Sequence, residues 1–207
     1  MYSRRKGFFV VIEGIDGSGK TTIAKKLVEE LKSMGYRAEY TYEPFASPFS
    51  QALKQYIDTY GGAEPEIETL TMALDRLYHI KKVVLPLLNE GFIVVSDRYL
   101  YSSIAYQGAR GIDLDWIYIV NRYAIEPDVA IYLRVPFDIA IERKKQKESK
   151  WSYFEDIERL KKAQDIYEKL VLLNKLVPVD ASRKVNDVVN ECLNIIFDHL
   201  DKRKPQT

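Results

Sequence analysis

An early glycine-rich stretch has the residue types and the spacing of a phosphate-binding loop. It reads Gly14, Ile15, Asp16, Gly17, Ser18, Gly19, Lys20 and Thr21, and it matches G-x-x-x-x-G-K-[ST] at every fixed position. Glycines there let backbone N–H groups turn inward around a chain of phosphates, and the N-terminus of the following helix adds partial positive charge. Lys20 can reach the β- and γ-phosphates, and the Thr21 hydroxyl can ligate Mg²⁺. The stretch therefore predicts a site for a nucleoside triphosphate.

A second pair of candidate residues, Asp97 and Arg98, follows an apolar run at residues 92–95 that predicts a buried strand. A carboxylate at the end of that strand would lie at the edge of the sheet where the phosphate loop opens, so it could hold the metal. The planar guanidinium of Arg98 can clamp a phosphate. Taken alone, Asp97 could instead cap the next helix, and Arg98 could form a surface ion pair.

Short apolar runs alternate with helical patterns along the chain. The runs that predict strands are residues 8–12, 38–42, 92–95, 129–133 and 176–179. The run before the phosphate loop does not alternate with polar residues, which is typical of a strand buried on both faces. Strands alternating with helices predict an α/β fold of the P-loop NTPase type, a doubly wound five-stranded parallel sheet with helices on both faces. Ligands of such a sheet collect at the carboxyl ends of its strands.

Three helical segments carry specific expectations. Pro65 opens a long helical stretch towards Gly91, and Pro86 predicts a kink or break within it. The apolar residues of that stretch recur at helical spacing: Leu70, Leu74, Leu77 and Ile80. Residues 114–125 predict a further helix. Near the C-terminus, Cys192 lies on an apolar helical stripe, which predicts a thiol in the core.

Composition limits the function classes. The 207 residues suit one domain, and 46% hydrophobic residues exclude disorder. Lysine and arginine total 31 against 30 aspartate and glutamate residues, so the net charge of +1 predicts neither nucleic-acid nor membrane binding. A single cysteine cannot form an internal disulfide, and no apolar run approaches a membrane span. We expect a soluble cytoplasmic protein.

The stretch that begins at Asp97 resembles the signature of thymidylate kinases. It reads Asp97-Arg98-Tyr99-x-Tyr101-Ser102-Ser103-x-Ala105-Tyr106-Gln107-Gly108, and the agreeing stretches elsewhere are Glu13 to Thr21, Glu43-Pro44, Asp75-Arg76, Pro127-Asp128 and Val179-Asp180-Ala181. The resemblance covers essentially the whole chain as a single domain, 1–207. It implies transfer of the γ-phosphoryl group of ATP to dTMP with Mg²⁺ present, giving dTDP and ADP for dTTP biosynthesis, and it implies a homodimer.

The resemblance also implies roles for individual residues. Substrate contacts fall on Asp16, Glu43, Pro44, Met72, Arg76, Arg98, Ser103, Tyr106 and Gln107. Among these, Asp16 would contact the deoxyribose 3′-hydroxyl, Arg76 and Arg98 the acceptor phosphate, and Tyr106 the sugar. Ser103 and Gln107 would contact thymine, and Thr21 with Asp97 would hold the metal. An anionic acceptor needs arginines and a pyrimidine needs a donor and an acceptor, which agrees with these roles.

The chain departs from the family pattern at two positions. Tyr42 stands before Glu43-Pro44 where the family usually has arginine, and Met72 stands where family members stack an aromatic ring on thymine. A methionine packs on a ring face more loosely than an aromatic does. We therefore expect loose selection among pyrimidines.

A basic stretch at residues 143–147, followed by Lys150, resembles the lid that closes over ATP in this family, and it implies a short lid at about residues 142–155. Such a charge run could also be a solvated helix face. Members of the family carry a catalytic arginine either in the phosphate loop or in the lid, and this loop contains none, so the resemblance implies that the lid supplies the catalytic cation. Arg143 is the best candidate, and the predicted catalytic set is Lys20, Asp97, Arg98 and Arg143.

Two other function classes stay open at this point. A deoxynucleoside kinase would share the phosphate loop and could use Glu43 as a base, because a sugar hydroxyl must lose a proton to attack. A non-catalytic nucleotide-sensing module could have kept the loop and lost turnover. Arg76 and Arg98 favour an anionic acceptor, and Lys20, Thr21 and Asp97 favour catalysis.

Overall fold

The computed structural model describes residues 6–145 and 157–203. Its strands are β1 (Phe8–Glu13), β2 (Ala38–Tyr42), β3 (Ile93–Asp97), β4 (Val129–Arg134) and β5 (Val177–Asp180). Its α-helices are α1 (Lys20–Ser33), α2 (Pro48–Tyr60), α3 (Pro65–His79), α4 (Leu85–Asn89), α5 (Leu100–Ala109), α6 (Leu114–Val120), α7 (Phe137–Lys145), α8 (Ile157–Leu172) and α9 (Val185–Arg203). A π-helical segment, Ile80–Val84, joins α3 to α4.

The five strands form one parallel sheet in the order β2-β3-β1-β4-β5. The order reverses beside β1, so the crevice at its carboxyl end is where a doubly wound sheet binds ligands. The register aligns Ile12 of β1 with Asp97 of β3, which brings Asp97 beside the start of the phosphate loop. The predicted fold class is confirmed.

Apolar residues alternate between the two faces of β1 and build two cores. Phe9 and Val11 pack in one core with the π-helical segment, α4, α5 and α8. Val10 and Ile12 pack in the other core with α1 and α9. Each residue of β1 is buried, as expected for a central strand of a parallel sheet covered on both faces. Cys192 lies in the second core, fully buried, and burial raises the pKa of its thiol to about 12.

Two helices differ from the expectation. The stretch from Pro65 changes to a π-helix before Pro86, which occupies the first turn of α4, where a missing N–H costs least. Helix α6 ends at Val120 and not at residue 125, because Asn121 caps it. The Asn121 side chain donates Nδ2 to Ile117 O at 2.9 Å, and such local bonds compete with continued helix.

Candidate active site

A cavity of about 920 Å³ opens at the carboxyl ends of the strands. It is lined by the phosphate loop, the ends of β2 and β3, and residues of α3, α5 and α7. The predicted site residues that line it are Asp16, Gly17, Ser18, Gly19, Lys20, Thr21, Glu43, Pro44, Met72, Arg76, Asp97, Arg98, Ser103, Tyr106, Gln107 and Arg143. Gly14 and Ile15 are buried beneath the loop and do not line the cavity. The fold thus brings segments that are distant in sequence to one cavity, while their individual roles stay predictions.

Glycine is required in the phosphate loop for both backbone shape and space. Gly17 has φ 84°, and a Cβ added there would lie 2.0 Å from the carbonyl oxygen of Ala140 in α7. Gly19, which precedes α1, has φ 93°. Both values favour glycine, because a side chain at positive φ is strained. The loop therefore packs directly against α7, the helix that leads to the predicted lid.

Lys20 is buried at the start of α1. Its Nζ donates to Ile15 O at 2.9 Å and lies 3.9 Å from Asp16 Oδ1. Burial, assisted by the nearby Arg98 charge and opposed by the carboxylates of Asp16, Asp97 and Glu13, lowers the pKa of Lys20 from 10.5 to about 8. A phosphate group would supply the negative charge that this desolvated ammonium group lacks.

Thr21 and Asp97 have the donor set that Mg²⁺ requires. The Thr21 hydroxyl donates to Asp97 Oδ2 at 2.5 Å, and the other carboxylate oxygen, Oδ1, is buried without a hydrogen-bond partner among the described residues. No group of three or more His, Cys, Asp or Glu residues within 6–145 and 157–203 could hold a metal ion. Mg²⁺ in phosphate-binding sites uses one or two carboxylates together with phosphate oxygens and waters, so this pair fits it.

Arg98 reaches the loop from a strained backbone position. Its φ is 72°, in the left-handed region, where a non-glycine residue is uncommon. Its N–H donates to Ile12 O at 2.9 Å, and Ser96 Oγ donates to its carbonyl at 2.8 Å. The guanidinium pairs with Asp16 and lies 4.9 Å from the centre of the Tyr106 ring. Strain of this kind persists where the surroundings hold it, and it is concentrated at functional sites.

The pairing of Arg98 bears on the predicted role of Asp16. The Asp16 carboxylate accepts from Arg98, and its backbone N–H donates to the Tyr106 hydroxyl at 3.0 Å. Loop, β3 and α5 are thereby tied together at one point. The predicted contact of Asp16 with a sugar hydroxyl stays a prediction.

Glu13 belongs to a stretch that agrees with the family signature, but the sequence assigns it no role. It is fully buried at the end of β1 and accepts from the backbone N–H groups of Tyr99 and Ser102, at 2.9 and 3.2 Å. Ser102 Oγ and the Tyr167 hydroxyl also donate to it, at 2.6 and 2.8 Å. Burial raises the pKa of Glu13, and these donors oppose the shift. The sequence feature that could have indicated this role is a carboxylate at the end of a buried strand. The Glu13 carboxylate anchors the N-terminus of α5.

Arg76 is held by four contacts at the wall of the cavity. Its Nε donates to Glu43 Oε2 at 2.8 Å, its Nη1 to Asn121 Oδ1 at 2.6 Å, and its Nη2 to Tyr99 O and Ser103 Oγ at 3.1 and 2.9 Å. Arg76 is only 3% exposed. Guanidinium has five N–H groups, so little donor capacity remains for the acceptor phosphate. Its predicted phosphate contact stays a prediction.

Glu43 is shared between Arg76 and His79. The second carboxylate oxygen, Oε1, lies 3.1 Å from His79 Nδ1, and His79 Nε2 lies 2.6 Å from Thr41 Oγ1. His79 is fully buried and was not singled out from the sequence. The peptide bond from Glu43 to Pro44 is cis. Glu43 therefore orders Arg76, and both of its oxygens are already engaged.

The base-binding candidates lie one turn apart on α5. Ser103 and Gln107 are both buried and line the cavity. Gln107 Nε2 donates to Glu68 Oε1 at 2.6 Å, while Gln107 Oε1 has no partner among the described residues. Glu68 is fully buried on α3 and was missed from the sequence. Burial raises its pKa, which the Arg110 charge and the Gln107 bond oppose.

The two departures from the family pattern both line the cavity. Met72 is half-buried and packs against Leu53, Ile57 and Ala63 while also lining the cavity. Tyr42 is 43% exposed, lines the cavity and stacks on Tyr40, whose hydroxyl is 3.5 Å from Asp97 Oδ2. Met72 is thus both part of a small apolar cluster and available to a ligand.

Arg143 extends from α7 to the opposite wall of the cavity. Its Nη1 donates to Ala181 O, just after β5, at 3.0 Å. The lid predicted at 142–155 lies largely outside the described residues, and Lys147 and Lys150 belong to that part. Its first residues, 142–145, continue α7. The structure thus describes Arg143 of the predicted lid cations, and its catalytic role stays a prediction.

Fold and site together define a class, the P-loop kinases, because a phosphate loop, a buried lysine, a threonine–aspartate pair and an arginine converge on one crevice. A sequence model of the family described as thymidylate kinase matches residues 12–192. The chain belongs to the thymidylate kinase family and is an enzyme of that family, which confirms the resemblance noted in the sequence.

Named relatives cover nearly all of the chain. A probable thymidylate kinase of Staphylothermus marinus is 41% identical over 198 residues, covering 96% of this chain and 98% of that protein. A probable thymidylate kinase of Pyrococcus horikoshii is 38% identical over 201 residues, 94% of this chain and 98% of that protein. A thymidylate kinase of Xylella fastidiosa is 36% identical over 197 residues, 95% of this chain and 90% of that protein.

Among residues 6–145 and 157–203, every helix is too short or too polar to cross a bilayer.

Proposed function

We propose that this chain transfers the γ-phosphoryl group of ATP to the 5′-phosphate of dTMP, giving dTDP and ADP, with Mg²⁺ held by Thr21 and Asp97. The family membership supports the reaction. The observation that carries the choice of acceptor is the engagement of both Glu43 oxygens, by Arg76 and by His79. A nucleoside kinase needs a free carboxylate at that position as a base, whereas a monophosphate oxygen is already ionised at pH 7 and needs none.

The roles of the cavity residues follow from where negative charge must be held. Lys20 and Arg143 are proposed to neutralise charge on the transferring phosphoryl group, because both are cations that line the same cavity as the phosphate loop. Arg98 is proposed to orient the acceptor phosphate beside Asp16 and Tyr106. Mg²⁺, when bound, neutralises phosphate charge and aligns the displacement. Positioning and charge neutralisation supply the catalysis, and no protein base is required.

A side-by-side assay of acceptors tests this proposal. Purified chain is supplied with ATP, Mg²⁺ and either dTMP, thymidine or each other nucleoside monophosphate, and ADP release is followed. We expect turnover with dTMP and none above background with thymidine. Turnover with thymidine that is lost in Glu43→Gln would establish the nucleoside kinase, and absence of turnover with every acceptor would favour the sensing module.

We also propose a homodimer, in keeping with the family resemblance. An apolar face formed by α3 and the neighbouring α6 is exposed, with Leu70 at 50% and Ile119 at 63% of full exposure. Its other members are Ile67, Leu74, Leu114, Tyr118 and Tyr123. An exposed patch of this kind is typical of an interaction surface, and an isologous dimer would cover it with its own copy.

Light scattering tests the dimer. Leu70→Glu together with Ile119→Glu should give a monomer, because two charges would be buried in each copy of the interface. Leu172→Glu, at an exposed position on α8, is the matched control and should stay dimeric. A wild-type chain that is monomeric at micromolar concentration would refute the proposal.

A cytoplasmic location also remains part of the proposal, since the single cysteine is an unpaired core thiol that suits a reducing compartment.

A further inference from the structure

The orientation of the Gln107 amide is set by its neighbour on α3. Gln107 Nε2 lies 2.6 Å from Glu68 Oε1. A carboxylate only accepts hydrogen bonds, so the amide must present its NH₂ group to Glu68 and turn its carbonyl oxygen the other way. That oxygen is buried, has no partner among the described residues, and belongs to a side chain that lines the cavity.

Arg110 keeps Glu68 in the accepting state. Its Nη1 donates to Glu68 Oε2, and its Nη2 donates to Ala63 O at 2.7 Å. Glu68 is fully buried and Arg110 is 11% exposed at the side chain, so the pair is well shielded from solvent. A buried carboxylate without a cation would take up a proton and could then donate to the amide oxygen. With Arg110 present, both oxygens of Glu68 are acceptors and both are used.

A donor stands one turn before this acceptor. Ser103 Oγ accepts from Arg76 Nη2 at 2.9 Å, which directs the hydroxyl proton of Ser103 away from Arg76. Ser103 and Gln107 are four residues apart on α5 and therefore share one face of that helix. The cavity wall thus offers a hydroxyl that can donate to a ligand, followed one turn later by an acceptor.

We propose that Glu68, held by Arg110, fixes the Gln107 amide so that the cavity selects pyrimidines carrying an N3–H and rejects those whose N3 is an acceptor. This inference rests on the proposed function. In uracil and thymine a carbonyl at C4 adjoins a donor at N3, which complements the donor and acceptor on the wall. Cytosine has a donor at C4 and an acceptor at N3, so it would place acceptor against acceptor. Glu68 is therefore a positioning residue that determines base selectivity without touching the base.

The ratio of kcat/KM for dTMP to kcat/KM for dCMP, measured on one enzyme sample, tests the inference. Glu68→Gln keeps the volume but can either accept from or donate to the Gln107 amide, so the amide is free to reverse. We expect this ratio to fall by at least about tenfold, since a misdirected buried hydrogen bond typically costs that much. A partly unfolded sample changes both rates equally, so the ratio reports on selectivity alone.

A second pair of variants tests the supporting cation. Arg110→Met should also lower the dTMP-to-dCMP ratio. Arg110→Lys keeps a positive charge and should retain most of the wild-type ratio. Glu168→Gln breaks the exposed Arg134–Glu168 pair and is the matched control, with an unchanged ratio.

The outcomes separate the two proposals. A wild-type chain that does not phosphorylate dTMP refutes the proposed function. A wild-type chain that phosphorylates dTMP, with ratios unchanged in Glu68→Gln and in Arg110→Met, refutes the role of Glu68 and leaves the proposed function standing. If Glu68→Gln does not fold, the two Arg110 variants decide. A dTMP-to-dCMP ratio that is lower in Arg110→Met than in Arg110→Lys supports the role of Glu68, and equal ratios refute it.

Discussion

Replacing Lys20 with methionine should abolish phosphoryl transfer and yet stabilise the ligand-free protein. Lys20 is buried, and burial lowers its pKa from 10.5 to about 8, so the folded protein holds a poorly solvated charge at neutral pH. Methionine has nearly the same length and shape and removes this charge. The Lys20 charge that is proposed to act on the phosphoryl group thus lowers the free energy of unfolding of the ligand-free protein.

The size of the effect follows from the pKa change. Lowering a lysine pKa from 10.5 to about 8 corresponds to about 3 kcal/mol of lost folding free energy at pH 7. Methionine also loses the hydrogen bond from Nζ to Ile15 O, worth about 1–1.5 kcal/mol. The net gain is about 1–2 kcal/mol, or a rise in Tm of roughly 2–8 °C for a chain of this size.

The gain should depend on pH in a definite direction. Between pH 8 and 10.5 the unfolded wild-type chain keeps the Lys20 proton while the folded chain has released it. Stability therefore rises with pH in that window, because the unfolded state binds more protons. The variant lacks this titration, so its advantage over wild type should shrink by about 2 kcal/mol between pH 7 and 9.5.

Denaturant unfolding at pH 7 and 9.5, with turnover measured on the same samples, checks both effects. Lys26→Met, at an exposed position on α1, is the control and should change neither stability nor its pH dependence appreciably. A Lys20→Met protein less stable than wild type at pH 7 would refute the reasoning. So would a stability difference that does not change with pH.

Three further outcomes are expected. Asp97→Asn should lower kcat by orders of magnitude at saturating Mg²⁺ and raise the Mg²⁺ concentration required, because it removes the charge beside Thr21. Unaltered kinetics would show that Asp97 is only a structural cap. Arg143→Ala should lower kcat much more than it raises KM for ATP. Arg143→Lys should recover only part of the rate, because lysine lacks the planar guanidinium and its paired donors. A change confined to KM would show that Arg143 is a binding residue. With Met72 in place of an aromatic residue, dUMP should be phosphorylated measurably, because one methyl group in an apolar pocket discriminates by about 1–3 kcal/mol. Strict rejection of dUMP in a competition assay with dTMP would show that other residues recognise the methyl group.

Local sequence determined the elements and the phosphate loop. Each strand was predicted from a short local run, and β2 has the predicted bounds, because the proline that follows it marks its end by local geometry. The loop was predicted from the spacing of Gly14, Gly19, Lys20 and Thr21, and its backbone has positive φ at Gly17 and Gly19, which glycine adopts without strain. The exceptions are the π-helical segment and the early end of α6, where Asn121 responds to its surroundings as much as to its neighbours in sequence.

Tertiary structure decided which charges act and which are only held in place. The family resemblance implied the same phosphate role for Arg76 and Arg98, but Arg76 pairs with Glu43, 33 residues away, while Arg98 pairs with Asp16, 82 residues away. Glu68 gained its role only through Gln107, 39 residues distant, when α3 packed beside α5. Periodicity specifies the face of a helix on which a residue lies, but hydrogen-bond partners are chosen by packing between distant segments, which a local pattern does not encode.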